Sequence, residues 1–295
     1  MTTDEIIPER NLDGWLKQPE DYRDYLVASY RPDILALAAP ASFDLRGANM
    51  PPIQDQGALG SCVAWACVRA YRYVQRKQGL QDLDFSELAT YYWARAYQGW
   101  TQEDSGAYLR DGIKALVEHG APEEATWPYV ISLYKTPPGA FAVENGQRHQ
   151  ATRYLAVANI QEQVKSVVAS GYPVVFGIPI YSNFPQGSGV WDIPAPVGSV
   201  IGGHAMTVVG YDATGVILAN SWGSSWGVQG FARMPWAYFL AQAGDLWMIE
   251  TVEGVEPAPP PPPTPSTIPH YVSFVHYTKM SDGETWVSSG SYDLP

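Results

Sequence analysis

QDQGALGSCVAWACVRAYRYV, residues 54–74, passes from a glycine-bearing turn into a helix and holds both cysteines of the chain, Cys62 and Cys67. Val63, Ala66, Ala70 and Val74 recur at helical spacing and give the helix one apolar stripe. Arg76 and Lys77 suit the negative end of its dipole, and Gly79 should end it. Cys67 lies within the stripe and reads as a small buried hydrophobe. Five residues of helix rise about 7.5 Å, beyond the roughly 7 Å Cα separation that a disulfide spans, so both cysteines should be free thiols. Cys62 is different. It lies in the first turn, where backbone N–H groups lack helical partners and the dipole end is positive. A thiolate is favoured there, and a lowered pKa is expected. The turn before it, Gln56 to Ser61, lets backbone come close to a ligand.

A nucleophilic thiolate needs a proton-handling partner, and the chain offers five histidines. His119 precedes a glycine at a helix end, His149 sits in the polar run ENGQRHQ, and His270 and His276 lie in the tail. His204 opens HAMTVVGYD, a strand preceded by two glycines that allow close approach. A second strand, GVILANS, follows after the turn Asp212-Ala213-Thr214-Gly215 and ends at Asn220. Strand ends of one hairpin lie side by side, so Asn220 can orient the His204 ring.

These three blocks, GSCVAWA, GGHAMTVVGYD and NSWGSSWGVQGFARM, resemble the Cys, His and Asn blocks of papain-like cysteine peptidases. They come in the family's order, with Gln56 six positions before Cys62. His204 and Asn220 follow Cys62 by 142 and 158 residues, against about 130–150 in the family. The resemblance spans about residues 41–252. It implies an α+β fold of two subdomains, a helical left part and an antiparallel β-barrel-like right part, with the cleft between them. It implies hydrolysis of peptide bonds through a Cys62–His204 thiolate–imidazolium pair and an acyl-enzyme. Asn220 would orient the imidazole, Gln56 and the Cys62 N–H would hold the oxyanion, and Trp222 would cover the Asn–His bond. Ser105, Gly106, Ala107 and Tyr108 resemble the segment that pairs with an extended peptide, and Ala107, Tyr108, Gly177 and Gly203 would line a roomy apolar pocket. Asp104 or Ser105 could equally cap the helix that follows. The departures are plain. Leu59 stands where the family has a disulfide-bonded Cys, Val63 stands where it has Trp, and Gly203 stands where it often has Asp or Asn. The long propeptide is missing. Such features resemble a bacterial, disulfide-poor branch with a short N-terminal extension.

Other readings of the same fold are an amidase or acyl transferase, which would hand the acyl group to a nucleophile other than water, and a catalytically silent peptide-binding module. The silent module would be expected to lack Cys62 or His204, and neither is missing. No metal or cofactor motif occurs. A net charge of −12 repels phosphate backbones and argues against nucleic acid. No apolar run reaches the roughly 18 residues of a membrane span. The polar N-terminus lacks a secretory signal, which suggests a cytoplasmic protein or one exported by another route.

The chain divides on this reading into an N-terminal extension, 1–40, a mainly helical part with the nucleophile, 41–150, a mainly β part with His204 and Asn220, 151–255, a proline-rich linker, 256–267, and a tail, 268–295. The extension carries Trp15, Tyr22, Tyr25 and Tyr30 among charged residues. It either covers the cleft as an intramolecular inhibitor, competing with peptide or protein substrates, or packs on the back of the body. The first reading expects removal of residues 1–40 to raise activity without loss of thermal stability.

Overall fold

The computed structural model describes residues 10–36, 38–254, 271–279 and 285–293. The chain divides into two compact units, one ending at Pro257 and the other covering Ala258–Pro295. In chain order the first unit contains α1 (Val27–Tyr30), α2 (Pro32–Ala36), β1 (Phe43–Asp44), α3 (Cys62–Lys77), α4 (Glu87–Ala96), α5 (Leu109–Glu118), a 3-10 turn (Ile131–Leu133), α6 (Ala140–Gly146), β2 (Ala151–Ala156), α7 (Gln161–Ala169), β3 (Val174–Tyr181), β4 (Val200–Tyr211), β5 (Gly215–Ala219), β6 (Phe231–Pro235), α8 (Trp236–Gln242) and β7 (Gly244–Val252). The second unit holds two antiparallel strands, β8 (Tyr271–Lys279) and β9 (Thr285–Asp293). The linker lies outside the described residues.

Helix α3 is the spine of the helical half. Its stripe, with Cys67 and Val68, packs against α4 and α5 on one side and β4 and β7 on the other. Lys77 is its last residue and Gly79 turns away with φ +73°, the left-handed conformation that closes helices. Ser86 caps α4, accepting the Ala89 N–H at 3.1 Å. The stretch KTPPGAFAVENGQ, read as a crossing loop, contains α6.

The β half is a seven-stranded sheet in the order β2-β7-β3-β4-β5-β6, with β1 added to β4. Neighbouring strands of this sheet pair antiparallel. The path runs from β2 to β6 without returning, so the barrel-like half is an open sheet. One core lies between this sheet and α7 and α8, where Phe176, Met206, Val208, Leu218 and Phe239 are fully buried. Pairing of Thr207 with Ala219 brings Asn220, one residue past β5, to the His204 end of β4.

The extension has two parts. Residues 10–18 enter the cleft. Farther on, Val27 of α1 and Ile34 of α2 are buried in the sheet-side core, and α2 lies on α7. Arg31 pairs with the buried Glu250. The back of the body therefore includes residues 27–36, and this burial argues against the expectation that removal of all 40 residues leaves stability untouched.

Candidate active site

Cys62 is the first residue of α3, and its thiol accepts the Ala205 N–H at 3.3 Å. Cys62 thus touches the residue next to His204 across the cleft. His204 Nε2 lies 2.7 Å from Asn220 Oδ1. The same oxygen accepts the Ser221 N–H at 2.8 Å, which fixes which way the amide points. An amide oxygen only accepts, so Nε2 carries the proton and Nδ1 is left for exchange. The Trp222 ring lies over this pair, 4.6 Å from the imidazole centroid.

Gln56 is buried beside the thiol's turn. Its Nε2 donates to Leu59 O at 2.8 Å and its Oε1 accepts from Ser221 Oγ at 2.6 Å. An amide nitrogen has two hydrogens, so one remains for a ligand. The turn is held further by Tyr129, whose hydroxyl donates to Gln56 O at 2.9 Å and pairs with Ser61 Oγ at 2.5 Å. The structure therefore brings Cys62, His204, Asn220, Gln56 and Trp222 together.

Asp104 does something that was not expected of it. Neither it nor Ser105 caps α5, which starts at Leu109 with no side-chain cap. The Asp104 carboxylate accepts the Gly60 N–H at 3.1 Å and the Tyr91 hydroxyl at 2.5 Å. Tyr91 Oη in turn accepts the Gly106 N–H at 3.1 Å. One carboxylate thus ties the turn before Cys62 to the segment 105–108, while Ser105 Oγ only donates to Gly106 O at 3.0 Å. Arg69 also escaped the sequence reading. From the buried face of α3 it donates to Asn220 O at 3.0 Å and Ala219 O at 3.4 Å, which ties the helix that starts at Cys62 to the strand end carrying Asn220.

Residues 10–16 run between the two walls. Gly203 N–H donates to Leu12 O at 2.8 Å, and Trp15 N–H donates to Gly203 O at 3.0 Å. On the other wall Ala107 N–H donates to Gly14 O, and Leu16 N–H to Ala107 O, both at 3.1 Å. The segment is parallel to both partners. Gly14 lies directly on the thiol: a Cβ there would stand 2.5 Å from Cys62 Sγ. The Trp15 indole fills the pocket of Gly177 and Gly203, and its Nε1 donates to Asp245 Oδ2 at 3.0 Å. Tyr108 faces elsewhere, its ring 5.5 Å from that of Trp100. Arg10 pairs with Asp55 at 2.7 Å and lies over the Trp222 ring at 5.4 Å.

Covered in this way, Cys62 is 0% exposed and His204 2%. Burial pushes the Cys62 thiol up to about 12, against the opposing pull of the Ala205, Val63 and Cys62 N–H groups. The expected lowering is reversed, because loss of water outweighs the helix terminus. Burial also pushes His204 down to about 4; the Asn220 bond opposes this, while the Arg10 and Arg69 charges add to it. In this state the pair is a neutral thiol and a neutral imidazole.

A family model for papain family cysteine proteases matches residues 39–238. A peptidase C1-like protein of Acanthamoeba polyphaga mimivirus is 31% identical over 269 residues, covering 81% of this chain and 86% of that protein. Among solved structures, xylellain, a cysteine protease from Xylella fastidiosa, superposes with a TM-score of 0.75 at 29% identity, over 84% of this chain and 98% of its own. Procathepsin B of Trypanosoma congolense, at 19% identity, shares the fold with a TM-score of 0.66, over 82% of this chain and 87% of its own.

Proposed function

Since the chain belongs to the papain family of cysteine proteases, we propose that Cys62, His204, Asn220 and Gln56 carry its peptidase chemistry and that residues 10–16 hold that chemistry in check. The protein is a cysteine peptidase, and the geometry suits each step. With water in the cleft, the Cys62 thiol gives its proton to His204 Nδ1, and the helix terminus favours the resulting thiolate. The thiolate attacks the peptide carbonyl carbon. The oxyanion meets the Cys62 N–H and the free hydrogen of Gln56 Nε2. His204 passes its proton to the departing amine as the C–N bond breaks. Water, deprotonated by His204, then cleaves the thioester. Asn220 keeps the imidazole in one tautomer throughout.

The observation that carries the restraint is the seat of Gly14. Main chain occupies the position in front of Cys62 Sγ, and the neighbouring carbonyls of Leu12 and Gly14 are bonded to Gly203 and Ala107. Neither is offered to the oxyanion donors, so the segment blocks the thiol without presenting those bonds for attack. Its short tether keeps its local concentration high.

Gly14→Val tests this. The added Cβ meets Sγ and the Gly60 carbonyl, so the segment must lift. Alkylation of Cys62 by iodoacetamide and hydrolysis of small peptides should both rise about 100-fold, equivalent to ~2.7 kcal/mol of lost occlusion. Adding Cys62→Ser should abolish hydrolysis. Adding Gln56→Ala instead should lower kcat by about 100- to 1000-fold with little change in KM. An unchanged alkylation rate in Gly14→Val overturns the blocking role, and full kcat in Gln56→Ala overturns the oxyanion role.

A further inference from the structure

The slot that holds Trp15 has a shape and a polarity of its own. Gly177 sits in the middle of β3 between the fully buried Phe176 and Ile178. A glycine there weakens a strand, and it is not present for backbone reasons, since neither Gly177 nor Gly203 nor Gly244 has a positive φ. The reason is room. A Cβ at Gly177 would land inside the indole, one at Gly203 would stand 3.0 Å from its Cε3, and Gly244 lies 4.0 Å from Cζ2 by the same measure. Gly177 is thus what opens a flat slot to the indole; Gly203 makes room chiefly for the Trp15 carbonyl, 2.2 Å from where its Cβ would stand, and Gly244 only borders the ring.

One edge of the slot is polar. Asp245 Oδ2 accepts the Trp15 Nε1–H and the Gln18 N–H, each at 3.0 Å. Among the described residues no arginine or lysine forms an ion pair with this carboxylate. Asp245 is held at φ +54°, a conformation that costs a non-glycine residue of order 1 kcal/mol and that tends to persist where a side chain must be aimed. When residues 10–18 leave, Asp245 loses both of these donors at once, at the rim of the slot that Gly177 opens.

The side chain that replaces what has left is flat, as wide as two fused rings, and carries an N–H on its edge. We propose that the vacated slot selects tryptophan in peptide substrates, with Asp245 as the specificity-determining residue. This rests on the reading that residues 10–16 occupy the substrate cleft. Phenylalanine enters the slot but brings no N–H to the half-buried carboxylate, and so forgoes a charge-assisted hydrogen bond.

Two measurements test it. The first needs no hydrolysis and uses the full chain. Trp15→Phe should speed Cys62 alkylation about tenfold, and it should do so no longer when combined with Asp245→Gly, a replacement that tolerates the positive φ and removes the acceptor. Equal effects of Trp15→Phe in both backgrounds would overturn the inference. The second uses the unblocked Gly14→Val chain on matched peptides carrying tryptophan, 1-methyltryptophan, phenylalanine or arginine, moved through each position on the amino side of the cut. Tryptophan should lead 1-methyltryptophan and phenylalanine by about tenfold in kcat/KM, and the lead should shrink to within about twofold in Asp245→Gly. Parity of 1-methyltryptophan with tryptophan overturns the role of the N–H. A lead for arginine overturns it in favour of a charge-reading pocket. If no peptide is cut at all, the catalytic reading fails, and the alkylation cycle still decides the slot.

Discussion

Two parts of the N-terminal extension, a dozen residues apart, attach to the body by different physics. Residues 11–16 attach mainly through backbone, by four hydrogen bonds to Gly203 and Ala107 of 2.8 to 3.1 Å, with Trp15 seated in a slot and the Asn11 amide donating to Asp104 at 2.7 Å. Residues 27–36 attach through side chains, with Val27 at 0% and Ile34 at 2% exposure inside the sheet core and Arg31 on Glu250. Backbone bonds to a cleft wall can be exchanged for bonds to water or to another peptide at small net cost. Apolar side chains in a core have no such substitute. On the reading proposed above, the first part can leave and the second cannot, so one stretch of chain would serve as both stopper and fixture, with α1 and α2 anchoring its downstream end.

The comparison breaks most sharply at Ile34. Ile34→Ala should cost about 2–5 kcal/mol of stability, seen as a lower midpoint in denaturant, with the alkylation rate of Cys62 in the folded protein unchanged. The Gly14→Val variant should behave in the reverse sense, and if both variants change both readouts the two parts are one unit. The pH profile should separate them next. Burial, with Arg10 and Arg69 adding, holds His204 down to about 4 in the covered state and pushes the Cys62 thiol up to about 12, so the covered pair is neutral. The open pair, a thiolate beside an imidazolium, holds the same number of protons, and a further proton enters only as the thiolate is neutralised. Alkylation of Cys62 in Gly14→Val should therefore stay within about threefold from about pH 8 to 5, where a lone thiol of ordinary pKa loses about tenfold per unit, while far-UV circular dichroism stays constant; a rate that falls tenfold per unit sinks the ion pair. A smaller change is expected from Arg10→Ala, which removes the Asp55 pair and the contact over Trp222: alkylation should rise roughly threefold to tenfold. Tyr22, 98% exposed between the two parts, sets the floor. Tyr22→Ser should alter stability by less than about 0.5 kcal/mol and leave alkylation as it was.

What the sequence revealed was local. Cys62 at a helix start, His204 and Asn220 at paired strand ends, and Gln56 in the turn lie in short blocks whose residue types and order are visible without coordinates. The main strands and helices of the β half follow from apolar runs between glycines. What it concealed was contact across long separations. Asp245 reaches Trp15 over 230 residues and Arg69 reaches Asn220 over 151, and neither has a pattern around it to announce the partner. Asp104 misled because an acid before a helix suits a cap, and only the folded turn shows Gly60 taking it instead. The aromatic anchors of the extension pointed to docking. They did not say that Trp15 enters a slot while Tyr22 faces solvent, since a segment that pairs by backbone carries no periodicity. The lowered thiol pKa followed from the helix terminus alone, and the segment that dries the cleft reversed it.

A stopper bound by its main chain is nearly indifferent to its own spelling. Asp13 and Leu16 offer the cleft N–H and C=O groups that other residues would offer equally, so mutations there should drift freely through generations. The text that must be copied faithfully in the cleft segment shrinks to a guanidinium at 10, an amide at 11, a letter without a side chain at 14 and an indole at 15. A lineage could rewrite the letters between, or move the segment to a new protease with a matching slot, and keep its safety catch by preserving those codons.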